Sequence, residues 1–304
     1  MDKAVFQIPD FEQDENEKKN LIGALRKNPS VRKLMDKEQM PEGVLAARAY
    51  TFKRWLDQVE PCRGCTSLEG CRQKKTGYRM GLKYDGILLE TMEACPYQRD
   101  MDRKQSHLVN YLVSDLGREM SCVSFENIDL SKGEPAGYIS AVAAATQACL
   151  SGQGVYLYGP MGTGKTYLAA CASNYMAKNG KKAAFVHYPA FTERLSQLYR
   201  TDEYRTEVDR MRYADILVID DIGAEEVTDR NRSVLLSVLD SRMQNRKMTW
   251  FTSNEDFKSL LNHFTVTNKG SDTLEAERLM ERIKVLAKPV YVSGKDRRHL
   301  FDAE

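Results

Sequence analysis

No run of apolar residues in this chain approaches the ~20 that a bilayer crossing needs. The longest, such as AVAAAT and ILVI, are a fraction of that. The opening MDKAVFQIPDFEQDENEKKN is acidic and polar and lacks the apolar core of a signal peptide, so the sequence reads as a cytoplasmic protein without a membrane partner. An excess of one charge is missing too. The 304 residues sum to +2, which excludes a uniformly basic chain and restricts any nucleic-acid contact to a local patch. One basic stretch runs from Arg278 to His299, where Glu281 and Asp296 are the only acids. Histidine is scarce, and none lies between Cys65 and Cys95. The 7 cysteines are an odd number in a chain without a secretion signal, which argues against a disulfide framework and for metal binding or plain packing. Internal repeats and low-complexity tracts are absent.

What is present separates into three regions. In residues 1–100, Leu45, Ala49, Phe52, Leu56 and Val59 recur at steps of four and three, the stripe of an amphipathic helix. Pro29 and Pro41 mark turns between helical runs. This reads as a small helical domain, and a helix face for a partner protein is compatible with it. Residues 101–135 read as a polar linker, helical in part, that breaks into a loop at SFENIDLSKGEPAG. From 136 to 304, strand candidates at 154–159, 182–188, 214–220, 248–253 and 288–293 alternate with helical runs. That alternation predicts an α/β fold, a parallel sheet flanked by helices, with its ligand site at the carboxyl ends of the strands.

The first of those strand candidates runs into GPMGTGKT, Gly159 to Thr166, which fits G-x-x-x-x-G-K-[ST]. In such a loop Gly159, Pro160, Met161, Gly162, Thr163 and Gly164 bend the chain so that backbone N–H groups face phosphate oxygens, and the following helix adds its positive end. Lys165 is expected to reach the β- and γ-phosphates of ATP, and the Thr166 hydroxyl to ligate Mg²⁺. Downstream, ILVIDDIG is an apolar strand ending in two carboxylates. Asp220 is expected to hold Mg²⁺ and Asp221 to orient or activate the attacking water. The next strand ends WFTSN, where Asn254, or else Ser253, would position that water or the γ-phosphate.

Cys62 and Cys65 form C-x2-C, with Cys71 and Cys95 further on. Close pairs on tight turns have the bite for tetrahedral Zn²⁺, and four thiolates with no open position make a structural site. Gly64 and Gly70 supply turn flexibility. His107 is an alternative to one cysteine, and an iron–sulfur cluster or unligated thiols are the other readings. Cys122, Cys149 and Cys171 read as packing residues.

Phosphate loop, acidic pair on the second strand after it, and polar sensor on the strand after that together resemble the AAA+ ATPases. VIDDIGAEEVT, TSN, ERLMERI and the cysteine-rich block ahead of them resemble one branch, the bacterial replicative-helicase loaders (DnaC/DnaI). The resemblance implies an arginine finger that completes the neighbouring subunit's site, placed on TLEAERLMERIKVL at Arg282, with Arg278 on the same face. It also implies a second arginine sensor at Arg298 or Arg297. Two departures stand out: most AAA+ enzymes have Glu where this chain has Asp221, which bears on hydrolysis rate, and the family's C-terminal helical lid is not expected here. The implied partners are the hexameric replicative helicase, single-stranded DNA, other primosome proteins, and further copies of the chain through the AAA+ module. For DNA, the segment with Tyr188, Phe191, Arg194, Tyr199, Arg200, Tyr204 and Arg205 interleaves aromatics with bases; a solvated amphipathic helix pair explains it equally. Two other functions fit the motifs: an IstB-type transposition helper acting on duplex DNA, which lacks such a cysteine-rich block, and a nucleotide-binding adaptor that never hydrolyses.

Overall fold

Four short helices open the chain: α1 (Phe11–Lys27), α2 (Pro29–Lys37), α3 (Glu42–Ala47) and α4 (Ala49–Val59). The structure, a computed structural model, describes residues 11–131, 133–267 and 270–297. It divides into two units, Met1–Arg103 and Lys104–Glu304. Pro29 stands in the first turn of α2 behind the Asn28 cap, whose side chain accepts the Ser30 N–H at 2.9 Å. The apolar stripe is shared by two helices, because the backbone leaves helical geometry at Arg48 (φ −123°). Leu45, Ala49, Phe52 and Trp55 nonetheless form one core with Leu25, Val31, Met80 and Leu82.

Met80 and Leu82 belong to a hairpin absent from the sequence reading, so the first unit is not purely helical. Strands β1 (Tyr78–Tyr84) and β2 (Leu88–Ala94) pair antiparallel, Tyr78 opposite Ala94 and Tyr84 opposite Leu88. They turn at Asp85–Gly86, where Gly86 takes φ +74°. An Asp-Gly pair between two extended runs is a strong short-range hairpin signal. Helix α5 (Pro96–Gln105) follows.

The second unit is built on one sheet. Its strands are β3 (Tyr111–Ser114), β4 (Val155–Tyr158), β5 (Ala183–His187), β6 (Ile216–Asp220) and β7 (Met248–Ser253). The short strands β8 (Val266–Thr267) and β9 (Gly270–Ser271) pair antiparallel, and β10 (Lys288–Tyr291) is the last strand among the described residues. The six-stranded sheet has the order β10-β4-β7-β6-β5-β3, and every pair in it is parallel. On β6, Ile216 and Val218 face one apolar layer and Leu217 and Ile219 the other. Both faces are buried, which is why the strand reads as a continuous apolar run.

Helices α6 (Ala136–Leu150) and α7 (Lys165–Lys178) cover the first face. The second is covered by α8 (Tyr188–Gln197), α9 (Asp202–Tyr213), α10 (Asp229–Gln244), α11 (Phe257–Thr265) and α12 (Thr273–Leu286). All five strand candidates from the sequence are strands of this sheet. The sixth, β3, lies inside the stretch read as a linker. That stretch is also bound to α7: the Tyr111 hydroxyl is 2.8 Å from Ser173 Oγ and 2.7 Å from Asn174 Oδ1, and the Asn174 amide donates to Met120 O and Val123 O. His107 is buried here against Asn174. Among the described residues no helix is long and apolar enough to cross a membrane.

Candidate nucleotide site

The phosphate loop joins β4 to α7 through Gly159, Gly162 and Gly164, with φ of +142°, +76° and +96°. These are values that a residue with a Cβ adopts at a cost. Space is equally restrictive at Gly159, where an added Cβ would meet Val292 O at 2.4 Å. Lys165, first residue of α7, is only 7% exposed. Its ammonium donates to Gly159 O (2.9 Å), Pro160 O (2.8 Å) and Asn254 Oδ1 (2.9 Å). Burial pulls its pKa down, opposed by the charges of Asp221 and Asp220. The Thr163 hydroxyl donates to Pro160 O and braces the loop from within, while Met161 is exposed at its tip.

At the end of β6 the Asp220 carboxylate is buried and fully engaged. Oδ1 accepts the hydroxyls of Thr166 (2.9 Å) and Thr252 (2.7 Å), and His187 Nδ1 lies 3.5 Å from Oδ2. This contact raises the His187 pKa. A hydroxyl and a carboxylate beside the phosphate loop are hard oxygen donors of the kind Mg²⁺ takes with phosphates, so the residues fit that ion. Asp221 turns into the left-handed region at φ +59°. Its carboxyl pKa is raised by burial first and by Asp220 second. Asn254 bridges the two halves of the site: Oδ1 accepts from Lys165, and Nδ2 donates to Asp221 Oδ1 at 3.3 Å. Ser253 is fully buried, donating to Ile222 O and accepting the Glu255 N–H, so it serves the turn rather than the site.

Thr252 and His187 were missed in the sequence. The available signal for His187 was its place at the end of the strand beside β6, where it sits in register with Asp220. The arginines are placed differently from one another. Arg282 is held within its own chain, Nε donating to Asp240 Oδ1 (2.9 Å) and a terminal nitrogen to Glu281. Arg278, one turn earlier on α12, is exposed. Arg297 N–H donates to Gly162 O (2.9 Å), and its guanidinium pairs with both oxygens of Glu134 while lying 3.7 Å from the Tyr138 ring centroid. Arg298 lies outside the described residues.

One expectation is corrected. Tyr188 and Phe191 are buried in the core under β5 and β6, so they present no surface to DNA. Their spacing among charged residues reflects one inward helix face. Tyr199 is 45% exposed, with the guanidiniums of Arg230 and Arg200 at 3.9 Å and 5.4 Å from its ring centroid and Tyr204 edge-on.

Around the four cysteines of the first unit, and elsewhere among the described residues, no three His, Cys, Asp or Glu side chains are grouped to hold a metal ion. Each thiol has a local partner. Gln73 donates to Cys62 Sγ, Cys65 Sγ to Ser67 O, Gly77 N–H to Cys71 Sγ and Gln98 N–H to Cys95 Sγ. The backbone donors Gly77 and Gln73 lower the Cys71 pKa.

The profile of the family described as IstB-like ATP binding protein matches residues 79–299. The chain belongs to that family. Within it the likeness to the replicative helicase loader DnaI of Bacillus subtilis is 30% identity over 254 residues, 81% of each chain. A crystal structure of DnaI superposes with a TM-score of 0.54 at 32% identity, covering 64% of this chain and 100% of that one. An insertion sequence ATP-binding protein of Sinorhizobium fredii is 24% identical over 142 residues, 46% of each chain. This IstB-like chain is thus an ATP-binding protein of the AAA+ kind, in the DnaI branch.

Proposed function

We propose that this chain is an ATP-dependent loader that binds the hexameric replicative DNA helicase and helps place it on single-stranded DNA during initiation or restart of replication. The observation that carries the reading is the reach of the DnaI likeness. It extends over 254 residues, more than the ATPase unit alone contains, whereas the insertion-sequence protein matches over 142. The first unit is the part we assign to gripping the helicase, with other primosome proteins and further copies of the chain as additional partners. We assign zinc to Cys62, Cys65, Cys71 and Cys95, on their spacing and on the Gly77 N–H donated to Cys71 Sγ, which favours thiolate there.

At the nucleotide, Lys165 would exchange its loop carbonyls for phosphate oxygens, and Thr166 and Asp220 would hold magnesium, which would supply positive charge against the phosphates. Asp221 orients the attacking water and Asn254 the γ-phosphate side. Asp221 is one methylene shorter than glutamate, so turnover is slow. Arg282 reads the neighbouring subunit's nucleotide, which requires it to leave Asp240; Arg298 is the second sensor. ATP acts as a switch whose leverage equals its differential affinity for the assembled state.

Native mass spectrometry of the chain with its cognate helicase, with and without ATP, tests the grip. The expected result is a complex of several subunits that is lost, together with bound zinc, in the Cys62→Ser, Cys65→Ser double variant. No complex in any nucleotide state would sink the loader reading and promote the transposition helper. A metal-free native chain would sink the zinc assignment alone.

For DNA, the exposed Tyr199 and its two flanking arginines form a stacking platform that suits bases without sequence readout. Tyr199→Ala with Arg230→Ala is expected to weaken binding of a fluorescent oligothymidine about tenfold or more in anisotropy titrations, since base–aromatic stacking is worth ~1–3 kcal/mol. Unchanged affinity would remove this surface from the DNA path.

A further inference from the structure

We propose that Thr252 is a positioning residue for the acidic pair: one hydroxyl sets both the Asp220 carboxylate and the backbone turn that carries Asp221. Thr252 lies on β7, is 1% exposed, and touches the two acids in different ways. Its oxygen accepts the Asp221 N–H at 2.9 Å, and its proton goes to Asp220 Oδ1 at 2.7 Å. The direction of both bonds is fixed by chemistry. A backbone N–H only donates, so the hydroxyl must accept there, and its own proton is left for the carboxylate.

The strand register explains why a side chain is needed. The parallel β6–β7 pairing runs to Ile219 opposite Phe251, and the backbone returns to β7 only where the Ile222 N–H reaches Thr252 O at 2.9 Å. Between these points the chain turns through Asp221 at φ +59°, a conformation that costs a residue with a Cβ and that surrounding bonds must impose. The Thr252 hydroxyl supplies the missing acceptor at that turn. It also pulls Oδ1 of Asp220 to the side on which Thr166 approaches, so the two groups assigned to magnesium meet at one oxygen. Asn254 does different work, since it touches Lys165 and the Asp221 carboxylate.

This inference rests on the ATPase reading, and the test keeps the two apart. Full-length Thr252→Val, which keeps the shape and removes both bonds, is compared with Thr252→Ser, which keeps the hydroxyl. A fluorescent ATP analogue is titrated with Mg²⁺ and again with EDTA, and phosphate release is followed in parallel. The valine variant is expected to bind the Mg²⁺ form about tenfold or more weakly, in keeping with the loss of a hydrogen bond to a charged group. Its affinity in EDTA is expected to stay within about twofold of the parent, its turnover to fall at saturating nucleotide, and serine to restore both properties. If valine fails to fold, Thr252→Ala carries the same comparison. Equal losses with and without Mg²⁺, or a valine variant indistinguishable from the parent, would overturn the proposal. A parent chain that binds no nucleotide in either condition would instead overturn the ATPase reading beneath it.

Discussion

Lys165→Ala is expected to remove ATP-dependent behaviour while leaving the nucleotide-free fold intact. Phosphate release should fall by roughly 10²–10³-fold or more, the scale of deleting one preorganised donor to developing charge. The argument comes from what the ammonium touches. Its three partners are the carbonyls of Gly159 and Pro160 and the amide oxygen of Asn254, all uncharged, and burial already disfavours its charged form. Without nucleotide, then, the lysine contributes little net stabilisation, and alanine costs little. With ATP the balance reverses, because a ligand that binds only the folded state adds about 2.7 kcal/mol at a hundredfold excess over its Kd. Melting curves of parent and variant should coincide in buffer and separate when Mg-ATP is added, the parent rising and the variant not. An equal ATP-induced rise in both proteins would mean that this loop is not the nucleotide site.

The parts of this site that could be read from the sequence are those carried by single strands. Ile216–Asp220 is buried throughout and appears as an uninterrupted apolar run ending in a carboxylate, while Val155–Tyr158 and Met248–Ser253 are largely apolar strands that run into the glycine loop and into Asn254. Asp220, Asp221 and Asn254 were found in that way. Thr252 and His187 were not, because their importance lies in pairing between neighbouring strands, which no local pattern records. The edge strand Tyr111–Ser114 reads as part of a linker for a related reason. It pairs on one side only, is partly exposed along its length, and its apolar run is just Tyr111, Leu112 and Val113, too short to stand out from the polar residues around it. At Tyr188 and Phe191 the pattern of aromatics between charged residues fits either a binding surface or an amphipathic helix, and in the structure both residues lie on a buried helix face. The Asp85–Gly86 pair between two extended runs is a local hairpin signal, set inside a segment whose most prominent pattern is its cysteine spacing.

A second large effect is expected far from the nucleotide, at Arg242. This residue is wholly buried at 0% exposure, yet its hydrogen-bond partners include no carboxylate. Nε donates to Thr249 Oγ1 (2.8 Å). One terminal nitrogen serves Met211 O (2.7 Å), Ala214 O (2.9 Å) and Arg212 O (3.3 Å), and the other serves Met248 O. Met211 and Arg212 are in the last turn of α9, where carbonyls lack helical partners and carry the negative end of the helix dipole. Ala214 leads into β6, and Met248 begins β7. One guanidinium therefore closes a helix end and joins the entrances of the two strands whose far ends carry Asp220 and Asn254. Arg242→Leu would leave these acceptors buried and unpaired, at ~1–3 kcal/mol apiece before relaxation. A net loss of about 3–5 kcal/mol is expected, the range for breaking a buried charged network, against a total of roughly 5–15 kcal/mol for a folded domain. Arg242→Lys should recover only part of it, since an ammonium on a single stem cannot fan out to carbonyls on three segments. Urea unfolding, followed by a probe in the second unit, measures the loss. A leucine variant within about 1 kcal/mol of the parent would show that water or repacking satisfies those carbonyls, and that the arginine is not what holds the strand entrances together.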